Sequence, residues 1–368
     1  MTQKKSFDFT LMVAVLILVI IGIIMVFSSS QYYSFYNFNQ DSYRFLKKNL
    51  IWALIGMFAM IFTMNFNYNR YRKLAFPAYI LSIVLLVLVL TPLGINLNGA
   101  QRWIGVGEIT IMPSEIAKIC AIIFVAYSLS RRSKYIQDFF KGIFPYLLII
   151  VLYVGLIILQ PNLSTAVTIA LIIMSMLFVT GMRWLHVILL GISGVGAVGV
   201  MILMAPYRML RLTAFIDPFK YPKDIGYQAI QSLFALGSGG LFGVGLGRSV
   251  QNKLYIPEPQ NDFIFATIGE ELGFVGCVTV MMLFLFLIWR GIRIAIYAPD
   301  LFSCLLATGI TSMIAIQVII NIAVATSSMP VTGIPLPFIS FGGNSLAIFM
   351  GAIGILLNIS RYTQDTVG

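Results

Sequence analysis

Charge is scarce in this chain: Asp, Glu, Lys and Arg make up 10% of its 368 residues against 59% hydrophobic ones, and the mean hydropathy is +0.94. A soluble domain carries about 25% charged residues, so this balance excludes a soluble globular fold and indicates an all-α, polytopic membrane protein. Histidine occurs once, as His186, and the three cysteines, Cys120, Cys277 and Cys304, all lie in apolar runs. That excludes a disulfide framework, a CxxC metal site, a His-based metal site and a Ser/His/Asp triad, and leaves the cysteines to packing. Acid–base chemistry falls to carboxylates, lysine or tyrosine. Acidic residues are the scarcer sign, 13 against 24 basic ones for a net charge of +11. In a membrane protein such an excess reflects cytoplasmic loops and anionic lipid head groups rather than nucleic acid.

What is present is a series of apolar runs. About 20 residues cross the hydrocarbon core as a helix, and runs of that order fall at 9–29, 49–66, 74–92, 113–130, 144–160, 163–181, 184–204, 263–289, 301–327 and 343–360. Ten spans in a single membrane domain, 1–368, are therefore expected. The first follows Lys4 and Lys5 as a signal peptide would, but it is longer than a usual signal core and reads as a retained helix. With the N-terminus inside, Lys4, Lys5, Arg70, Arg72, Lys73, Arg131, Arg132, Lys134, Lys141, Arg183, Arg290, Arg293 and Arg361 fall on the inner side. Only Arg44, Lys47, Lys48 and Arg102 fall in short outer loops. This asymmetry puts both termini in the cytoplasm of the cell. The segment 205–262 is left outside as a large loop between the seventh and eighth spans. It is too long for a connector, and its apolar stretches predict short helices at the interface.

Asp262 stands at the threshold of the eighth span. At a rise of ~1.5 Å per residue, Glu270 and Glu271 lie roughly 12 to 14 Å deeper, while Asp262 stays where a polar substrate can reach it. It is a candidate base, with helix N-capping as the competing role. Carboxylates at the depth of Glu270 and Glu271 mark either a functional site or bonds to loop amides or a buried lysine. Lys118, three residues after Glu115 on one helix face, either neutralises that carboxylate or joins Arg102 in a positive pocket for phosphate. Arg208, Arg211 and Arg248 of the long loop can add to the pocket, although basic residues also contact lipid head groups. The glycine-rich "GSGGLFGVGLG" (237–247) lacks the ending of a phosphate loop and reads as close backbone packing or a re-entrant turn. "MPVTGIPLPFISFGGNS" (329–345) implies irregular backbone at membrane depth, tolerated where it lines a cavity or is covered by protein.

Five ordered stretches, "GAQRWIGVG" (99–107), "PSEIAK" (113–118), "YQAIQSLFALGSGGLFGVGLG" (227–247), "PEPQNDFIFATIGEELGF" (257–274) and "PVTGIPLPFISFGG" (330–343), resemble the SEDS family of ten-span bacterial proteins. The likeness is closer to its FtsW and SpoVE branch than to RodA. The resemblance implies a glycosyltransferase that polymerises lipid II at the outer face of the cytoplasmic membrane and releases undecaprenyl pyrophosphate. It makes Asp262 the essential aspartate and gives Arg102, Trp103 and Lys118 important roles, with Glu115, Glu258 and Glu271 supporting. It also implies a class B penicillin-binding protein transpeptidase as partner, and a divalent cation, Mg2+ or Mn2+, is allowed for beside the basic residues. The sequence departs from the family pattern at Met112, Asn162, Ser164, Phe341 and Asn344, none of them in the Asp262 stretch. A lipid-linked sugar flippase, or a non-catalytic scaffold, is the competing reading of the same intramembrane charges and Gly/Pro-broken spans.

Overall fold

The computed structural model describes residues 6–363 apart from 39, 98, 107, 108, 223–225 and 254. Lys4 and Lys5, part of the charge asymmetry, and Gly107, the last residue of "GAQRWIGVG", lie outside the described residues. Apolar sequence in lipid must satisfy every peptide group internally, and helices do this within one segment. The chain accordingly forms α1 (Phe9–Asn37), α2 (Arg44–Asn65), α3 (Asn69–Val89), α4 (Pro113–Arg132), α5 (Phe144–Ile158), α6 (Leu163–Val179) and α7 (Trp184–Leu203). It continues through α8 (Pro206–Ile216), α9 (Tyr227–Ser238), α10 (Ile264–Ile296), α11 (Leu301–Ala325) and α12 (Asn344–Ser360). Among the described residues, 8 helices are long and apolar enough to cross a membrane, and the shorter apolar α6 and α12 stand where the sixth and tenth expected spans lie. Two expected ends move: α1 runs on to Asn37 and α10 to Ile296. The short helices expected in 205–262 are α8 and α9.

One element was not foreseen. Between α3 and α4 lies a three-stranded antiparallel sheet, β1 (Gly94–Leu97), β2 (Ala100–Val106) and β3 (Ile109–Ile111), in the order β1-β2-β3. Short strands between spans carry too weak a pattern to separate from a loop, because period 2 needs more residues than β1 or β3 contains.

α11 is the centre of the bundle and packs on α4, α6, α10 and α12. Lipid offers no hydrophobic drive between helices, so close approach of small residues and interhelical hydrogen bonds do the work. At the α2–α12 contact Gly354 lies against the Met60 carbonyl and the Thr63 hydroxyl, and Thr63 Oγ1 donates to the Gly351 carbonyl at 2.7 Å. α7 differs: none of its residues is buried, and it packs chiefly on α8.

The glycine run explains the two deep carboxylates. α10 leaves helical geometry at Gly273 (φ 68°, ψ −166°), which frees peptide groups on both sides of the break. The glycine loop satisfies them: the N–H groups of Val244 and Gly245 donate to the Glu270 and Glu271 carbonyls at 2.9 and 3.0 Å, and those of Phe274 and Val275 donate to the Gly240 and Leu241 carbonyls at 2.9 and 3.1 Å. Both side chains are then used to hold the loop. Glu270 accepts from the Ser249 hydroxyl at 2.5 Å and from the N–H groups of Val250 and Gln251 at 2.7 and 3.3 Å. Glu271 accepts from Ser28 of α1 at 2.6 and 2.7 Å and from Asn252 Nδ2 at 3.4 Å. Of the two roles left open for these residues, the structural one is realised.

A side chain at 273 would adopt an unfavourable positive φ and run into the Gly243 amide and the Leu241 carbonyl. Left-handed backbone costs ~1–2 kcal/mol for a residue with a Cβ, and overpacking adds roughly 1–3 kcal/mol. Gly273→Ala should therefore lower the thermal unfolding midpoint of the purified protein, whereas Gly194→Ala on exposed α7, where a Cβ meets nothing within 4 Å, should leave it in place. Equal midpoints for the two variants would show that the break tolerates a side chain.

Candidate active site

Successive residues of a strand point to opposite faces, and β2 uses this to separate Arg102 from Trp103. Arg102 faces a cavity of about 190 Å³ walled by α6, by Val198 and Ile202 of α7, by α8 and by residues 329–332. Trp103 lines a second cavity of about 300 Å³, with Tyr33 of α1, Trp52 of α2, Glu258, Gln260, Asn261 and Phe341.

The first cavity is cationic. The Arg102 guanidinium is held by the carbonyls of Gln160 (3.1 Å) and Pro161, which end the α5–α6 turn. Arg208 donates to the Met201 carbonyl at 2.8 Å and Arg211 to the Val331 carbonyl at 3.1 Å. Backbone carbonyls orient all three arginines, and the Tyr207 hydroxyl also accepts from Arg208 at 2.8 Å. Among the described residues no carboxylate hydrogen-bonds to any of the three, although the Asp262 charge acts on Arg102 and Arg211. Burial, and then the nearby Arg211 charge, hold the Arg102 pKa below the ordinary guanidinium value. A partly desolvated cluster of this sign is suited to a phosphate or pyrophosphate group, which guanidinium forks bind through two oxygens.

Asp262 directly follows Asn261 of the second cavity, and the charges of Arg102 and Arg211 from the first act on it. Burial raises its pKa most, Glu258 raises it further, and Arg211 and Arg102 oppose them, leaving it at about 6. It does not cap the helix, because the cap position of α10 is Phe263 and no side chain bonds there. The capping role set against the base is thus not realised. Its backbone is fixed by an unbroken series of bonds to the proline- and glycine-rich segment. The Phe341 N–H donates to the Gln260 carbonyl (2.9 Å), Ser340 Oγ to the Asn261 carbonyl (2.7 Å) and Asn321 Nδ2 to the Asp262 carbonyl (2.9 Å). Asn321 also donates to the Ile334 carbonyl at 2.8 Å, and the Leu336 N–H donates to Ser340 Oγ at 2.8 Å, so both sides of the clamp are tied. Gly333, at φ 77°, lies beside the carboxylate, where an added Cβ would come 3.3 Å from Asp262 Oδ2.

The structure thus brings Arg102, Arg208 and Arg211 to one cavity and Trp103 and Glu258 to the other, with Asp262 in the lining of neither but within reach of the Arg102, Arg211 and Glu258 charges. It does not bring Lys118, Arg248, Glu115 or Glu271 to either cavity lining. Lys118 is 1% exposed in α4, pairs with Glu115 at 2.7 Å and lies over the Phe349 ring of α12. Of the two roles the sequence left open to Lys118, the one visible here is pairing with Glu115, since residues three apart along a helix are within reach of each other. Arg248 is exposed on the glycine loop. Sequence reasoning passed over Asn321 and Ser340. An asparagine within an otherwise apolar span was the available signal for the first, because it must find partners there. Two departures from the family pattern meet in space, as the Met112 N–H donates to Asn344 Oδ1 at 3.3 Å. As for a divalent cation, no three His, Cys, Asp or Glu side chains are grouped among the described residues. Guanidinium groups act on Asp262 where further oxygen ligands would be needed, so the donor set does not make a cation site by itself.

The family model described as "Cell cycle protein" (FtsW, RodA and SpoVE) matches residues 9–365. Stage V sporulation protein E of Bacillus subtilis (strain 168) is 47% identical over 99% of this chain and 99% of its own length. A probable peptidoglycan glycosyltransferase FtsW of Trichlorobacter lovleyi is 40% identical over 97% of this chain and 94% of its own. Among solved structures, one described as "Structural coordination of polymerization and crosslinking by a peptidoglycan synthase complex" superposes with TM-score 0.80 at 29% identity, covering 98% of this chain and 99% of that one. The rod shape determining protein RodA of Thermus thermophilus superposes with TM-score 0.72 at 26% identity, covering 98% of each chain. A match over nearly the whole length, in sequence and in fold, places this chain in the FtsW/RodA/SpoVE family of membrane proteins.

Proposed function

We propose that this chain is a peptidoglycan glycosyltransferase that polymerises lipid II, with Asp262 as its general base. The observation that carries the reading is the clamped Asp262 carboxylate beside a cavity of three carbonyl-oriented arginines. A sugar hydroxyl is a weak nucleophile, and a carboxylate that takes its proton as the new bond forms contributes typically ~10²–10⁴-fold. The hydroxyl oxygen of the acceptor attacks the anomeric carbon of the donor glycan, the bond from that carbon to the pyrophosphate oxygen breaks, and the proton passes to Asp262. Undecaprenyl pyrophosphate leaves with the bonding electrons, and Arg102, Arg208 and Arg211 stabilise the charge it gathers. A single displacement inverts the α-linked donor to a β-linked product. No step is assigned to a metal ion.

The basic-residue asymmetry supports placing both termini in the cytoplasm, with 205–262 and the two cavities on the outside, where lipid II presents its head group. A class B transpeptidase is the proposed partner, which would cross-link the strands made here. A flippase is disfavoured because the deep charges are committed to local partners: Lys118 to Glu115, and Glu270 and Glu271 to the glycine loop and α1. The test is polymerisation of labelled lipid II by the purified full chain, with and without a cognate class B partner. Glycan strands are the expected product, and their absence under both conditions would overturn the reading. Arg211→Ala removes a charged donor from the leaving-group cavity. A charge-assisted hydrogen bond of roughly 1.5–3 kcal/mol corresponds to a loss of about 10–100-fold in kcat/KM. An unchanged kcat/KM would exclude Arg211 from leaving-group stabilisation.

A further inference from the structure

The second cavity, on the Trp103 face of β2, contains polar atoms that the fold leaves unsatisfied. Gln260 is 1% exposed and lines the cavity, yet its Oε1 has no hydrogen-bond partner. Asn261, beside it, spends its amide nitrogen on Glu258 Oε2 at 2.7 Å and leaves Oδ1 without a partner. Buried acceptors without donors cost about 1–3 kcal/mol each and are uncommon in native folds. Two in sequence, in one cavity, are matched by a ligand rich in O–H and N–H donors. The other walls are aromatic, from Tyr33, Trp52, Trp103 and Phe341. Flat apolar faces around a few fixed polar groups make a site for a small ring that has both an apolar face and hydroxyl edges. Arg44, Lys48 and Glu258 also line this cavity.

The place of the cavity decides which ring. Asp262 directly follows Asn261, and its other neighbours in space, Arg102 and Arg211, belong to the cationic cavity suited to the leaving pyrophosphate. Resting on the reading that the chain polymerises lipid II, we propose that the aromatic cavity is the subsite of the acceptor sugar. An N-acetylated amino-sugar ring stacks on Trp103 and donates hydroxyl and amide hydrogens to Gln260 and Asn261, which turns its nucleophilic hydroxyl toward Asp262. Gln260 and Asn261 thereby become binding residues for the acceptor.

The experiment uses the full chain in lipid nanodiscs and a probe that has neither lipid nor phosphate, the soluble disaccharide of N-acetylglucosamine and N-acetylmuramic acid. Binding is read from tryptophan fluorescence and ligand-observed NMR. The wild type should bind, Gln260→Met and Asn261→Leu should each weaken binding about tenfold, the loss of one such hydrogen bond, and Arg211→Ala should bind like the wild type. Trp103→Phe, which keeps an aromatic wall, should weaken binding less than Trp103→Ala. Thermal unfolding midpoints identify variants that fail to fold, and the Trp103 pair decides the question if both amide variants do. Unchanged affinity in folded amide variants, or affinity lost through Arg211→Ala alone, overturns the acceptor assignment. If the wild type polymerises lipid II but does not bind the disaccharide, the subsite is wrong and the function stands. If it binds the disaccharide but makes no polymer, the cavity is a sugar site whose acceptor role is overturned together with the function.

Discussion

Asp262→Asn should reduce polymerisation of labelled lipid II by about 10²–10⁴-fold, the usual contribution of a positioned general base, and leave the protein folded. The second half of that outcome follows from the pKa. Burial and the Glu258 charge push the carboxylate up to about 6 in the folded chain against an ordinary 3.8, so its ionised form is disfavoured by folding. A raised folded pKa gives a contribution to stability that is fully present below pH 3.8 and lost as the pH rises through about 6. At pH 8 the wild type therefore carries the full cost of the ionised group, and Asn, which has no charge to bury, should melt at the same temperature or higher. Activity has the opposite sign. A base must be ionised to accept a proton, so wild-type kcat/KM should fall tenfold per pH unit below about 6 and level off above it. Activity retained in the Asn variant would remove Asp262 from the chemistry. A melting temperature well below that of the wild type would show instead that the carboxylate holds the site together.

Lys118→Met should produce the largest loss of stability among single substitutions in the spans. The ammonium is buried and bonded to Glu115 at 2.7 Å, and Glu115 Oε2 otherwise accepts from Ser345 Oγ at 3.2 Å. Removing one member of a buried pair strands the other as an uncompensated charge, which costs roughly 3–5 kcal/mol. Glu115→Gln in the Lys118→Met background removes that charge and should recover much of the loss, giving a large favourable coupling in a double-mutant cycle. Activity should follow folding in these variants, since the pair bridges α4 and α12 and lines neither cavity. If Lys118→Met keeps its melting temperature but loses pyrophosphate binding, the phosphate-pocket role once open to this lysine is correct and the structural one is wrong.

These two residues show where sequence reading succeeds and where it stops. For Asp262 the sequence located the start of the helix: the apolar run marks where α10 begins, and Asp262 stands just before its first residue, Ile264. For Lys118 the sequence left two partners open. The nearer one, Glu115, lies on the same helix, and nothing in a linear pattern tells whether Arg102 reaches the same place. The arginines divided in the same way. Arg102, Arg208 and Arg211 converge on one cavity, while Arg248 sits exposed on the glycine loop, although all were equally plausible as basic residues near the long loop.

The sequence by itself determined the membrane class, the approximate places of the helical spans, the short helices of the 205–262 segment and the irregular backbone at 329–345. Each of these follows from local hydropathy, length, or Gly and Pro chemistry, which do not depend on distant residues. The tertiary structure alone decided the rest. It showed that the glycine run mends the break at Gly273, that Asn321 and Ser340 hold the backbone around Asp262, and that β2 divides two cavities by the alternation of Arg102 and Trp103. All of these depend on contacts between segments far apart in the chain, such as Asn321 with Asp262 and Ser28 with Glu271. A one-dimensional pattern records which groups need a partner at membrane depth, and only the packed bundle determines which partner each one finds.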